Sequence, residues 1–299
     1  MPAVRWWRVL VVCAASLGAT LLAPSDGTLP PPMIGLVILA MGLGLNLRSA
    51  ATARNGTGEA DHGPPHSDEP VDRAAEIQAL ERAAEDDPGR RQEAVDTLCR
   101  ILRDGGGSDR GAEAARVARQ TLLSHLRPAR SSRRGDPEFW SGMHLDLEGA
   151  SLHGWDMSGC RVGRAAFRDA RFDDRASFNG ARFDDRAVFV GARFSEEADF
   201  QDAEFHGEAT FQNAGFHGDA TFEDADFTGW SWFSGARFHA GATFEYARFG
   251  RRTTFDRAHF GEVSFNRTRF SEKVTFRGAR VGGAAFSRET VLRRARFGS

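Results

Sequence analysis

The sequence predicts a mainly β chain: a solenoid in the C-terminal half, a small helical region before it, and an N-terminal two-helix transmembrane hairpin. Three observations carry this. Phenylalanine recurs through the second half at alternating steps of five and six residues, an internal period of eleven. Before that, apolar residues follow helix spacing. At the start, two apolar segments enclose a loop free of Lys and Arg.

The apolar segments are Val9–Ala23 and Met33–Leu47. Each is shorter than the ~20 residues that span a bilayer comfortably. Trp6 and Trp7 extend the first as interfacial anchors, and Pro30 to Pro32 open the second. Ala14 with Gly18, and Ala40 with Gly44, give the four-residue spacing of small side chains that lets helices approach closely in lipid. Arg5 and Arg8 precede the pair and Arg48 and Arg54 follow it, so both chain ends are expected in the cytoplasm of a multi-pass membrane protein. A cleaved signal peptide is the rival reading of the first segment. Against it stand Pro24, just after the plausible cleavage residue Ala23, and the second segment that follows at once.

The expected divisions are 1–50 for the hairpin, 51–70 for a flexible linker, 71–129 for the helical region, 130–142 for a second linker and 143–299 for the repeats. Residues 51–70 are polar and rich in Gly, Pro, His and Asp. Helix spacing appears in Ala74, Ile77, Leu80 and Ala84, in Val95, Leu98, Ile101 and Leu102, and in Val117, Leu122 and Leu126. Pro88-Gly89 and Gly105 to Gly107 separate three short helices, whose core is thin and whose expected role is to pack on the repeats and cap them. Arg130, Arg133 and Arg134 read as part of a solvated linker, with contact to anionic lipid as the weaker alternative.

The repeat reads ARFDDRASFNG, ARFDDRAVFVG, ARFSEEADFQD, AEFHGEATFQN and onward. Its core positions are Phe178, Phe183, Phe189, Phe194, Phe200, Phe205, Phe211, Phe216, Phe222, Phe227, Phe233, Phe238, Phe244, Phe249, Phe255 and Phe260. Steps of five and six would smear these rings around a 3.6-residue helix. The A-x-F alternation is strand-like, with Ala and Phe inward and the residue between them outward. Gly, Asn and Asp between the units suit turns. A chain that turns every five or six residues with inward Phe must coil, each turn burying its rings on the one below. The usage of 24 Phe against one Tyr fits rings that need no polar partner.

LDLEGASLHGWDMSGCRV and the A-x-F units resemble the pentapeptide-repeat family in its Phe-centred variety, over about Met143 to Phe297. IQALERAAEDDPGRRQEAVDTL resembles, more weakly, the helices that precede the repeats in membrane-anchored bacterial members. The resemblance implies a right-handed quadrilateral β-helix with one pentapeptide per face. Here the faces of five, six, five and six residues sum to 22 per coil, so two of four corners should carry an extra residue. About seven coils are expected, at the ~4.8 Å spacing of neighbouring strands.

No nucleophile–base motif, P-loop, dinucleotide fingerprint or metal-ligand cluster is legible, so no enzyme, cofactor or metal is expected. The net charge of −2 gives no general affinity for nucleic acid. Cys13, Cys99 and Cys160 lie far apart, which suggests neither disulfides nor zinc. His217 and His239 should stack as a surface ladder. Between Ser195 and Ala236 there is no Lys or Arg, and Glu204, Asp224 and Asp226 belong to an acidic stripe that would attract a basic partner. Arg182 and Arg248 close that stripe, and the chain beyond Arg237 is basic. Trp230 at a corner and Trp232 beside Phe233 are expected to point outward as a partner surface, with packing against a neighbouring segment as the alternative. The expected function is a membrane-tethered, non-enzymatic binding or scaffolding module for a protein partner, with self-association through an end of the β-helix as a further expectation. The alternative, which the resemblance brings, is a regulator that protects a topoisomerase by mimicking DNA.

Overall fold

The computed structural model describes residues 73–105, 109–129, 138–287, 289 and 292–297. Both apolar segments, the tether 51–70 and the cluster Arg130, Arg133 and Arg134 lie outside the described residues. Among the described residues, no helix is long and apolar enough to cross a membrane.

Helix α1 (Arg73–Asp86) and helix α2 (Arg91–Asp104) flank a single 3-10 turn, Pro88–Arg90. Proline loses no hydrogen bond in a first turn, and the Asp87 carboxylate accepts the Gly89 N–H at 2.9 Å. Helix α3 (Asp109–Leu126) buries Ala114, Ala118, Leu122 and Leu126, four residues apart and so on one face. Its core is shared with Ile77 and Ala84 of α1 and with Val95, Leu98 and Leu102 of α2. His125, 5 % exposed, clamps this region. Its ring stacks on Trp140 at 4.0 Å, Nδ1 donates to the Glu138 carbonyl at 2.7 Å, and Nε2 meets the Glu81 carboxylate at 2.8 Å.

The helices close one end of the coil with directed bonds. Gln92 both donates to and accepts from the backbone of His144, at 2.8 and 2.9 Å. Arg103 pairs with the Asp146 carboxylate at 2.8 Å, and Arg127 donates to the Ser158 carbonyl at 2.7 Å. The inward residues of this first coil, Leu147, Leu152, Met157 and Val162, are smaller than Phe. Trp155, which breaks the A-x-F pattern, folds under to join them: it is 1 % exposed and meets Phe167 edge-on at 6.0 Å.

Beyond the helices, short strands, most of them of two residues, stack in parallel on four faces. Face 1 runs from Leu145–Asp146 through Ala209–Thr210 to Val274–Thr275. Face 2 runs from Ser151–Leu152 to Arg280–Val281, and face 3 includes Ala176–Ser177, Ala198–Asp199 and Ala220–Thr221. Face 4 runs from Arg161–Val162 through Glu204–Phe205 to Arg296–Phe297. Face 1 stacks seven strands, so first to last spans six turns rather than seven full coils. In the middle of the coil the pairing offset is 22 residues, as in Ala187↔Ala209 and Glu204↔Asp226. Toward the ends it tightens, to 20 at Leu145↔Ala165 and 21 at Thr253↔Val274.

That offset puts like rings in columns. Phe178, Phe200, Phe222 and Phe244 stack at 4.6, 4.8 and 4.9 Å. Columns from face 1 and face 3 meet edge-to-face, as in Phe200 with Phe211 at 5.4 Å and 89°. Parallel offset stacking along the axis and T-shaped contact across it are both favoured by the ring quadrupole. Every Phe from 178 to 260 in this core is at most 3 % exposed.

The corners differ. Those between faces 1 and 2 and between faces 3 and 4 are tight turns with a left-handed residue, often Gly, Asp or Asn, as at Gly180, Asp202, Asn213 and Asp224. The other two carry the extra residue and let coils press together. A Cβ on Gly229 would run into the Gly207 carbonyl oxygen. At the far end the period breaks. Gly282 and Gly283, with φ of 56° and 81°, turn Arg280–Val281 back against Ala284–Ala285 as an antiparallel hairpin. Phe286 therefore lies on Phe276 at 4.2 Å, and Phe297 on Phe270 at 5.6 Å.

Candidate interaction surface

With the interior filled by Phe, chemistry is left to the outward residues, and the 22-residue offset arranges these in columns too. Trp230 sits at the corner from face 4 to face 1 and is 52 % exposed. Trp232 lies on face 1 between Thr210 and Thr254 in the ladder. The two indoles meet edge-to-face at 6.0 Å. Trp232 does not stand fully outward: it is half-buried, and its covered Nε1 has no hydrogen-bond partner, nor does the Oγ of neighbouring Ser231.

The acidic residues come together on face 4 and its edge. Glu204 pairs with Asp226 above it and Arg182 below it in the ladder. Its carboxylate accepts from Arg182 at 3.2 Å and faces His206 Nε2 at 3.0 Å. Arg182 is shared with Asp184 at 2.7 Å, which also takes Arg161 at 2.7 Å. Burial pushes the Asp184 carboxyl up, but hydrogen bonds from Arg161 and Arg182 outweigh it and hold its pKa below the usual carboxylate range. Asp226 lies 3.9 Å from Arg248. Asp224 is exposed at the corner from face 3 to face 4.

Several residues of this surface escape a reading along the chain. Above Asp226, face 4 carries Arg248, Arg269 and Arg296 in register. Like charges directly opposite in a sheet repel. Above Asp224 stands Tyr246, 39 % exposed, and above that Arg267, whose guanidinium lies over the Tyr246 ring at 5.2 Å and donates to its hydroxyl at 2.6 Å. Tyr246 and Arg267 hold φ of 58° and 59°, where the same corner carries Gly180 and Asp202 lower down. Left-handed backbone costs an ordinary L-residue roughly 1–2 kcal/mol. The one signal that finds these residues is the 22-residue offset, read outward as well as inward.

Other candidates resolve simply. His217 and His239 stack at 4.8 Å on the outside. Glu81, Glu85 and His125 bring ligand-type atoms within 4.8 Å of one another, and the direct contact of His125 with Glu81, 44 residues away in sequence, clamps α1 to α3. Burial pushes the Cys99 thiol up to about 12 and the Cys160 thiol up to about 11, so neither is a nucleophile at neutral pH.

A family model described as pentapeptide repeats, nine copies, matches residues 147–193, 189–237 and 200–248. No match was found among curated proteins. None was found among solved structures either.

Proposed function

Because the repeat region of this chain belongs to the pentapeptide-repeat family, we propose that it is a non-enzymatic binding or scaffolding protein, tethered to the cytoplasmic face of a membrane by residues 1–50. The observation that carries the reading is Trp230, 52 % exposed beside a charged face of a rod whose interior is filled by Phe. Such a rod offers its sides, and exposed Trp is the residue most enriched where binding energy concentrates. The acidic groups Glu204, Asp224 and Asp226 add steering and orientation. The tether rests on the apolar segments Val9–Ala23 and Met33–Leu47 and on the placement of arginine around them.

The topoisomerase-regulator alternative draws on the acidic stretch from Ser195 to Ala236. Arg182 within Glu204's ion pair, and Arg248, Arg269 and Arg296 above Asp226, break that stretch on face 4 and favour the scaffold. Proximity labelling by the full chain in its own cells, with and without Trp230→Thr/Trp232→Thr, tests the reading. Loss of specific labelling in a variant with unchanged circular dichroism is expected; identical labelling refutes it. Deleting residues 1–50 should release the chain from membranes, and a reporter after Ser299 should be active only as a cytoplasmic one. A mature N-terminus near Ser25 would instead mean signal cleavage.

A further inference from the structure

On face 4 a two-coil acidic band, Glu204 and Asp226, stands between Arg161 and Arg182 below and Arg248 above, and the upper boundary of that band runs across both edges. On the face, Glu204 and Asp226 are followed by Arg248, Arg269 and Arg296. On the edge toward face 3, Asp202 and Asp224 are followed by Tyr246 and Arg267. On the edge toward face 1, Glu208 is followed by Trp230, Arg252 and Lys273, the residues whose carbonyls receive successive face 1 N–H groups. In both edge columns an exposed aromatic stands between acid and base, Tyr246 at 39 % and Trp230 at 52 %.

We propose that the partner of this surface is a second copy of the chain, packed side by side and antiparallel through face 4, about a two-fold axis at the level between Asp226 and Arg248. The inference rests on the reading that the Trp230 region is a partner surface, and names what it binds. A two-fold lying across the rod keeps each column over the same column of the partner and reverses its direction. Asp226 then faces Arg248 of the second copy, Glu204 faces Arg269, Asp202 faces Arg267, and each contact is made twice, as an isologous interface requires. Parallel packing at the same level puts acid on acid and base on base. The charge pattern therefore selects one orientation.

Three further observations agree. Among the described residues Arg269 and Arg296 have no ion pair, although they stand in register with Arg248. Glu204 of a second copy relieves that repulsion at Arg269, whereas Arg296 falls opposite Arg182, outside the contact. At the edge toward face 3, Tyr246 is 39 % exposed with the Arg267 guanidinium over its ring, a surface that a second copy would cover. The end of the coil beneath the helices is covered by the contacts of α2 and is thereby withheld from association, while Phe297 at the other end is 50 % exposed. The acidic half is partly neutralised within the chain, Glu204 by Arg182 and His206 and Glu208 by Arg186. Arg182, shared with Asp184, marks the limit of the contact.

The test uses the purified full chain, in detergent where the N-terminal segments require it, with mass measured by sedimentation and light scattering. The wild type should be dimeric at low salt. It should dissociate as salt rises from about 0.01 M to 1 M, which shortens the screening length from about 30 Å to about 3 Å. Glu204→Arg/Asp226→Arg should be monomeric, and so should Arg248→Glu/Arg269→Glu. Mixing the two should restore a dimer, because an all-basic face then meets an all-acidic one. Circular dichroism confirms that each variant folds; Trp230→Thr, which alters no charge, serves in place of one that does not, and should weaken the dimer. Orientation is read by cross-linking chains carrying Glu204→Cys with chains carrying Arg269→Cys, where mixed pairs should link and like pairs should not. A monomeric wild type, or a dimer indifferent to charge reversal, overturns the proposal. Trp-dependent labelling of a different protein by a monomeric chain would overturn it as well while leaving the scaffold reading intact.

Discussion

Replacing Phe222 by Ala tests the column architecture at its most enclosed point. The ring is 0 % exposed and lies between Phe200 at 4.8 Å and Phe244 at 4.9 Å. It also meets Phe211 and Phe233 edge-on, at 5.4 and 5.6 Å. Truncating a buried Phe costs about 3–5 kcal/mol, more where the site cannot collapse. Here collapse is resisted, because backbone ladders hold the neighbouring coils: Phe222 N–H to the Thr243 carbonyl at 2.7 Å and Phe200 N–H to the Thr221 carbonyl at 2.8 Å. Each lost aromatic pair adds about 0.5–1.5 kcal/mol beyond area, so the upper half of that range is expected. Arg193→Ala, outward and exposed on face 2, is the control and should stay within about 0.5 kcal/mol. Denaturant unfolding of the full chain, followed by far-ultraviolet circular dichroism and by tryptophan fluorescence, measures both. Solenoids lose cooperativity when a middle repeat weakens, so the two probes should separate for Phe222→Ala. Equal destabilisation by the two substitutions would refute the inward and outward assignment.

Three other outcomes follow from named contacts. Gly229→Ala puts a Cβ against the Gly207 carbonyl oxygen and should destabilise the coil strongly, whereas Gly215→Ala, with open space around its Cβ, should not; comparative unfolding decides. The Asp184 carboxyl has a folded pKa below its ordinary 3.8, so its stabilisation is fully present above that value and is lost as pH falls through the depressed one. Asp184→Asn should therefore flatten part of the acid limb of a stability–pH curve, and an unchanged limb counts against the Arg161–Asp184–Arg182 bridge. Cys99 and Cys160, buried with raised pKa values, should resist alkylation at neutral pH in the folded chain and react only on unfolding, as peptide mass mapping will show.

The parts of this fold legible in the sequence are those fixed by local spacing. Alternating steps of five and six set a 22-residue offset, and that offset alone puts Phe200 under Phe222 and Glu204 under Asp226. Trp155 was not legible, because its burial depends on volume left by Leu147, Met157 and Val162 in a coil of 20 residues. Phe286 was not placed by the period, although the Gly282-Gly283 pair that diverts it is a hairpin signal. Trp232 was read as outward by alternation, yet it is half-buried with its Nε1 covered, which alternation along the chain does not register. The His125 clamp joins residues far apart in sequence and became visible only when α1 and α3 packed.

The candidate surface divides in the same way. Trp230 and the acidic residues stand out along the chain, since each departs from its local pattern. The columns do not, because the sign of a column is spread over residues 22 apart and is diluted by the charges of the other faces. Asp224, Tyr246 and Arg267 look unrelated in sequence and become a graded edge once coiled. The core needs the same residue in every coil, so it repeats. Tyr246 in a left-handed corner and three arginines in register each work against the stability of the isolated rod. Features that a rod alone would be better without, aligned at one level on one face, are what an interface leaves in a repeat.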